Sequence, residues 1–175
     1  MILNYNKYWY PKGKLMQISV TGTKSAKAKK LIREALEYYC SLLMNRRTID
    51  LLDVEIRLKR RLEDDAQGYC YFSNKDIGYR GFELDIKKGL PLRDILQTIA
   101  HEAVHIKQFA KGELKEGYVP STSSLWKGKL VNELKIDYED YPWEKEAYEA
   151  EDELYHSFIA NLSEANKQAL RKRVL

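Results

Sequence analysis

Apolar side chains recur along this chain in two rhythms, and the rhythm changes at identifiable residues. Residues 15–20 (LMQISV) read as a short strand ended by Thr21-Gly22. From Ser25 the spacing turns helical. Ala28, Leu31, Ile32, Ala35, Leu36, Tyr39, Leu42 and Leu43 recur at three- and four-residue steps, while Lys24, Lys27, Lys29, Lys30 and Arg33 fall outside the stripe. Leu52, Val54, Ile56 and Leu58 then alternate strictly with Asp53, Glu55 and Arg57, the period of a strand with one buried face. Gly68 introduces a second strand, YCYF, and the turn-rich SNKDIGYRG leads to a third, FELDI, which places Phe82, Leu84 and Ile86 on one side. Gly89 and Pro91 open a long helix, proline standing near the first position, where a missing N–H costs nothing. Gly112 closes it. Residues 113–141, with Gly117, Pro120, Gly128 and the run STSS, read as irregular, anchored on the core by Trp126 and Leu130. A last helix runs from about Pro142 to about Asn161. Helices before and after a small mixed or antiparallel sheet of three or four strands make an α+β fold.

At 175 residues the chain suits one domain, 1–175, large enough to bury a core without disulfides. A hydrophobic share of 44% beside 32% charged residues fits a soluble globular protein, and a net charge of +4 is too small to argue for nucleic acid by itself. Cys40 and Cys70 have no C-x-x-C spacing and make no disulfide framework, so we expect reduced core thiols and a cytoplasmic setting. The opening MILNYNKYWYPKGK holds no apolar run of the kind a cleaved signal needs. No stretch approaches the roughly 20 apolar residues of a membrane span.

The chemistry lies in the long helix, at HEAVH. His101 and His105 are one turn apart and about 40° from each other around the axis. With His101 at zero, Leu92, Ile95, Leu96, Ile99, Ala103, Ile106 and Ala110 fall between about 120° and 220°. The apolar stripe thus lies opposite the histidines, which argues against their being core residues. Glu102, at about 100°, stands beside the pair. Neutral imidazoles are good ligands for Zn2+, and a catalytic site uses three protein ligands with a fourth place for water. A neighbouring glutamate then serves as general base, the role assigned to Glu102. A chain of this length shows H-E-x-x-H by chance at roughly the one-in-a-few-hundred level.

The order FELDI, HEAVH, then a glutamate-bearing helix resembles the zincin metallopeptidases over roughly residues 50–160. Within them it is most similar to the gluzincin type, including small single-domain metallopeptidase-like proteins of phages and bacteria. HEAVH and PWEKEAYEAE (142–151) are its most specific motifs. The metzincin pattern is excluded, because Gln108 and Lys111 stand where it needs Gly and His. The gluzincin resemblance implies a third ligand from a downstream helix, a glutamate often followed by alanine, and Glu146-Ala147 fits. Glu146 also borders an apolar stripe of Trp143, Ala147, Ala150, Leu154 and Phe158. Glu149, Glu144 and His156 are the alternatives. Glu144 sits in the first helical turn, where an acid favours the macrodipole. Glu149 serves if the helix is rotated, and His156 would make a three-histidine site of the SprT-like kind. Glu151 is a candidate to orient a ligating histidine, although Ala150 stands where gluzincins often carry an acidic residue four positions past the ligand.

These residues support a zinc-dependent peptidase in which His101, His105 and Glu146 hold Zn2+ and Glu102 is the general base. The resemblance further implies that a strand beside the active helix pairs antiparallel with a bound peptide, and FELDI is the candidate, an internal strand the alternative. Tyr138, Tyr141 and Tyr148 are near enough in sequence to stabilise an oxyanion, against a plain packing role. The competing class is a non-catalytic zincin-fold protein that recognises a peptide or nucleoprotein, an SprT-like role. The basic first helix and the tail Arg171-Lys172-Arg173 point weakly to nucleic acid, against a solvated face.

Overall fold

The computed structural model describes residues 16–74, 80–118 and 122–175. In chain order the first elements are β1 (Gln17–Thr21), α1 (Ala26–Leu43), α2 (Arg46–Ile49), β2 (Asp53–Lys59), β3 (Gly68–Asn74) and β4 (Gly81–Lys87). There follow α3 (Leu92–Ala110), β5 (Leu114–Tyr118), β6 (Ser123–Trp126), β7 (Lys129–Asn132), α4 (Pro142–Ala160) and α5 (Glu164–Ala169). Ser25 starts α1 by accepting the Ala28 N–H on its hydroxyl, an N-cap that satisfies one of the open donors of the first turn. The helix buries the expected stripe and Cys40 besides, but Leu42 in its last turn is exposed. Gly112, at φ +69°, ends α3 as the left-handed residue that helix termini favour.

The main sheet has the order β1-β2-β4-β3, with β1, β2 and β4 parallel and β3 antiparallel to β4. Val54, Ile56 and Leu58 from β2 and Phe82, Leu84 and Ile86 from β4 form the buried face, against which α1 and α3 pack. The other face is polar: Arg57 and Lys59 both reach the Asp85 carboxylate at 2.6 Å. Because β4 is paired on both sides, FELDI is an internal strand and offers no free edge for a peptide. That edge belongs to β3, the last strand in the order.

The second sheet, β5-β6-β7, departs from the irregular segment expected over 113–141. Its strands are short antiparallel arms, and Lys127-Gly128, both at positive φ, turn β6 into β7. Trp126 anchors it against Trp143, with ring centroids 6.2 Å apart. Leu130 is no anchor, being 57% exposed on the outer side of the hairpin. The N-terminal stretch 1–14, Pro120 and most of the SNKDIGYRG turn lie outside the described residues. The basic tail is docked rather than trailing: Leu92 donates its N–H to the Lys172 carbonyl and Gly89 to that of Val174. Among the described residues no helix is long and apolar enough to cross a membrane.

Candidate metal centre

α3 and α4 lie against each other, so HEAVH faces the first two turns of the helix that begins at Pro142. His101 Nε2 and His105 Nε2 are 3.2 Å apart. The carboxylate that meets them is that of Glu144: its Oε2 is 3.2 Å from His101 Nε2 and 3.5 Å from His105 Nε2. These three residues offer one donor atom each within 4.8 Å of one another, a group that could hold a metal ion. Glu144 and His105 are buried, and the His101 side chain is 12% exposed.

Glu146, the residue expected to complete this group, is not brought to the histidines. Its carboxylate takes Lys107 at 2.9 Å, Lys127 at 2.8 Å and the Gln108 amide at 2.9 Å. The reason is helical geometry. Two residues on a helix diverge by about 200°, so Glu144 and Glu146 cannot share a face. Glu149 and His156 are exposed on the outer side of α4.

Both rings are fixed from behind. His101 Nδ1 donates to Glu151 Oε2 at 2.9 Å, the orienting role expected of Glu151. Gln97 supports that carboxylate at 3.4 Å. His105 Nδ1 donates to Gln108 Oε1 at 2.8 Å. Gln108 can accept only because its amide nitrogen is committed to the Trp143 carbonyl and to Glu146, each at 2.9 Å. Glu146 therefore acts on His105 through Gln108, a connection that HEAVH alone does not disclose. With both Nδ1 atoms donating, the Nε2 lone pairs converge on the Glu144 oxygen. Three acceptors at this separation repel unless positive charge sits among them.

The electrostatics agree. Burial works against a charged His101, but the hydrogen bonds to Glu144 and Glu151 prevail and raise its pKa to about 10. Burial likewise opposes ionised Glu144, yet its bonds to His101 and His105 hold it down at about 2. A proton or a cation at this point is strongly favoured.

Glu102 is 4% exposed, and burial is the main cause of its raised pKa, against the pull of His105 and His101. It lies between α3 and the start of β3. A Cβ on Gly68 would fall 2.5 Å from Glu102 Oε1 and 2.6 Å from Thr98 Cγ2, so only glycine lets the strand come this close. The group opens on a cleft of about 1140 Å3, bounded by β3 on one side and by the 3-10 turns Glu133–Lys135 and Tyr138–Asp140 on the other. The Tyr148 ring lies tilted against His101, with ring centroids 4.7 Å apart and planes at 58°. Burial, then the Glu144 charge, pushes the Tyr138 hydroxyl upward, and burial with Glu144 and Glu151 does the same to Tyr148. Comparison with known proteins finds no matching family model and no significant match among curated proteins or solved structures.

Proposed function

We propose that the chain is a zinc-dependent peptidase with His101, His105 and Glu144 as the metal ligands. The carrying observation is the triangle of donor atoms, 3.2, 3.2 and 3.5 Å on its edges. Donors at about 2.0–2.1 Å from a tetrahedral zinc stand about 3.3–3.4 Å from each other. Three protein donors beside an open cleft are the ligand number of a catalytic zinc rather than a structural one. A bound zinc ion supplies Lewis acidity to water and to an acyl carbonyl.

The chain's own groups then divide the remaining work. Glu102 takes a proton from water at its carboxylate and returns it to the departing amine, and its burial raises its pKa, which favours holding that proton in between. Glu151 and Gln108 hold the two imidazoles with Nε2 unprotonated and facing inward. Tyr138 and Tyr148 stand on the cleft side of Glu144 and His101, where a hydroxyl serves an oxyanion. The edge strand β3 offers main-chain pairing to an extended polypeptide. Free Cys40 and Cys70 suit a reducing compartment, and we place the protein in the cytoplasm.

Digestion of unfolded casein by zinc-loaded wild type, by the chelated protein and by Glu102→Gln tests this reading. Wild type cleaves, chelation abolishes cleavage reversibly, and Glu102→Gln loses about 10²–10⁴-fold in rate. Equal cleavage by wild type and Glu102→Gln would remove Glu102 from catalysis. Binding of unfolded chains with no turnover by the zinc-loaded wild type would favour the non-catalytic class instead.

A further inference from the structure

We propose that the cleft selects basic polypeptide, whose Lys and Arg side chains lie along its acidic lining. This rests on the peptidase reading and names its substrate class. The floor carries the carboxylates of Glu102, Glu144 and Glu151. Around them stand Asp64, Asp94, Glu116 and Glu133, contributed by four separate segments. Among the described residues that line the cleft, none is Lys or Arg.

Composition does not explain this. The chain holds 30 basic and 26 acidic residues and carries a net charge of +4. An average sample of its surface would be slightly positive, so the acids are gathered here and the bases kept out. A divalent cation offsets two of the carboxylates and Arg93, just outside the lining, pairs with Asp94 at 2.9 Å, which still leaves the acids of the lining in excess. The field is strongest inside a concave wall of low dielectric. For a basic peptide the whole molecule is mildly repulsive, so attraction has to come from the cleft.

The aromatic residues carry the same preference. Tyr71, Tyr138 and Tyr148 are 43%, 57% and 50% exposed at the cleft. Tyr69 and Tyr71 form a ring pair on β3, centroids 5.7 Å apart. Ring faces interspersed with carboxylates accept both the stem and the head of a Lys or Arg side chain. They give an acidic side chain nothing to pair with.

The test uses two fluorescent peptides of one backbone, alternating with Lys in one and Glu in the other. Binding is read by anisotropy on zinc-loaded Glu102→Gln, so that cleavage does not interfere. The Lys peptide should bind at least about tenfold tighter at low salt, and the preference should shrink as salt is raised. A double variant, Asp94→Asn with Glu133→Gln, should narrow it while remaining folded; either single substitution serves if the pair does not fold. Equal affinities, a preference for the Glu peptide, or an unchanged preference in the folded variants would overturn the assignment. Wild-type cleavage of both series at equal rates removes the substrate class and leaves the peptidase. A Lys preference in binding without cleavage by wild type leaves the selective cleft and removes the peptidase.

Discussion

Single atoms set the distances at this site, and Gly68 shows how. It has ordinary backbone angles, so its value is the absence of a Cβ that would press on Glu102 and Thr98. The far end of Glu102 is the easier of the two to displace. Gly68→Ala should therefore lower turnover of a peptide substrate by about tenfold or more while shifting stability by no more than a kcal/mol or so. Turnover close to wild type in a folded Gly68→Ala protein would show that Glu102 needs no such placement. Gln108 is fully buried and gives His105 its tautomer. Gln108→Ala should weaken zinc binding by about 10–100-fold in a chelator competition. His101 and His105 were legible because H-E-x-x-H is local and its face could be read against the stripe of α3. Glu144 was harder, since its acidic first-turn position already had an explanation in the helix macrodipole. The signal was there in α4: Glu144 and Glu151 are seven residues apart, about 20° from one another on a helix, with Tyr148 between them on that face.

At the scale of elements, α3 and α4 carry the three donor residues and the hairpin β6–β7 is tied to α4 by an ion pair. Lys127, in that hairpin's turn, and Lys107, in α3, converge on Glu146 of α4. Burial tends to raise the Glu146 pKa, but the bonds from Lys127, Gln108 and Lys107 hold it at about 2. A depressed carboxylate contributes stability that is complete above its unfolded value of 4.5 and disappears as pH falls toward about 2. Glu146→Gln should thus lower the urea midpoint at pH 7 and narrow its drop between pH 7 and pH 3. A midpoint drop equal to that of wild type would mean the ion pairs add nothing. The long elements were legible because each buries one face for many residues. The hairpin was not: its four-residue strands are too short to show a period, and Gly117, Pro120 and Gly128 read as breaks. Nor does a strand's alternation say which neighbours it acquires, which is why the sequence leaves FELDI open as edge or internal strand and does not single out YCYF as the edge.

At the scale of the whole molecule, the fold separates charge. Lysines of α1 and the docked basic tail lie on the body, while acids from α3, α4, β5 and the 3-10 turns gather in one cleft. No window of the sequence shows this, because Asp64 and Glu151 are distant in the chain and meet only through the packing of α3 between β3 and α4. The same packing decides which glutamate faces the two imidazoles. That choice is tested most directly by zinc content and affinity of purified wild type, Glu144→Ala and Glu146→Ala. Wild type should carry stoichiometric zinc, Glu144→Ala should lose at least about a hundredfold in affinity, and Glu146→Ala should keep near-stoichiometric zinc with modest weakening. Wild-type affinity in Glu144→Ala, or loss of zinc confined to Glu146→Ala, would contradict the choice of Glu144.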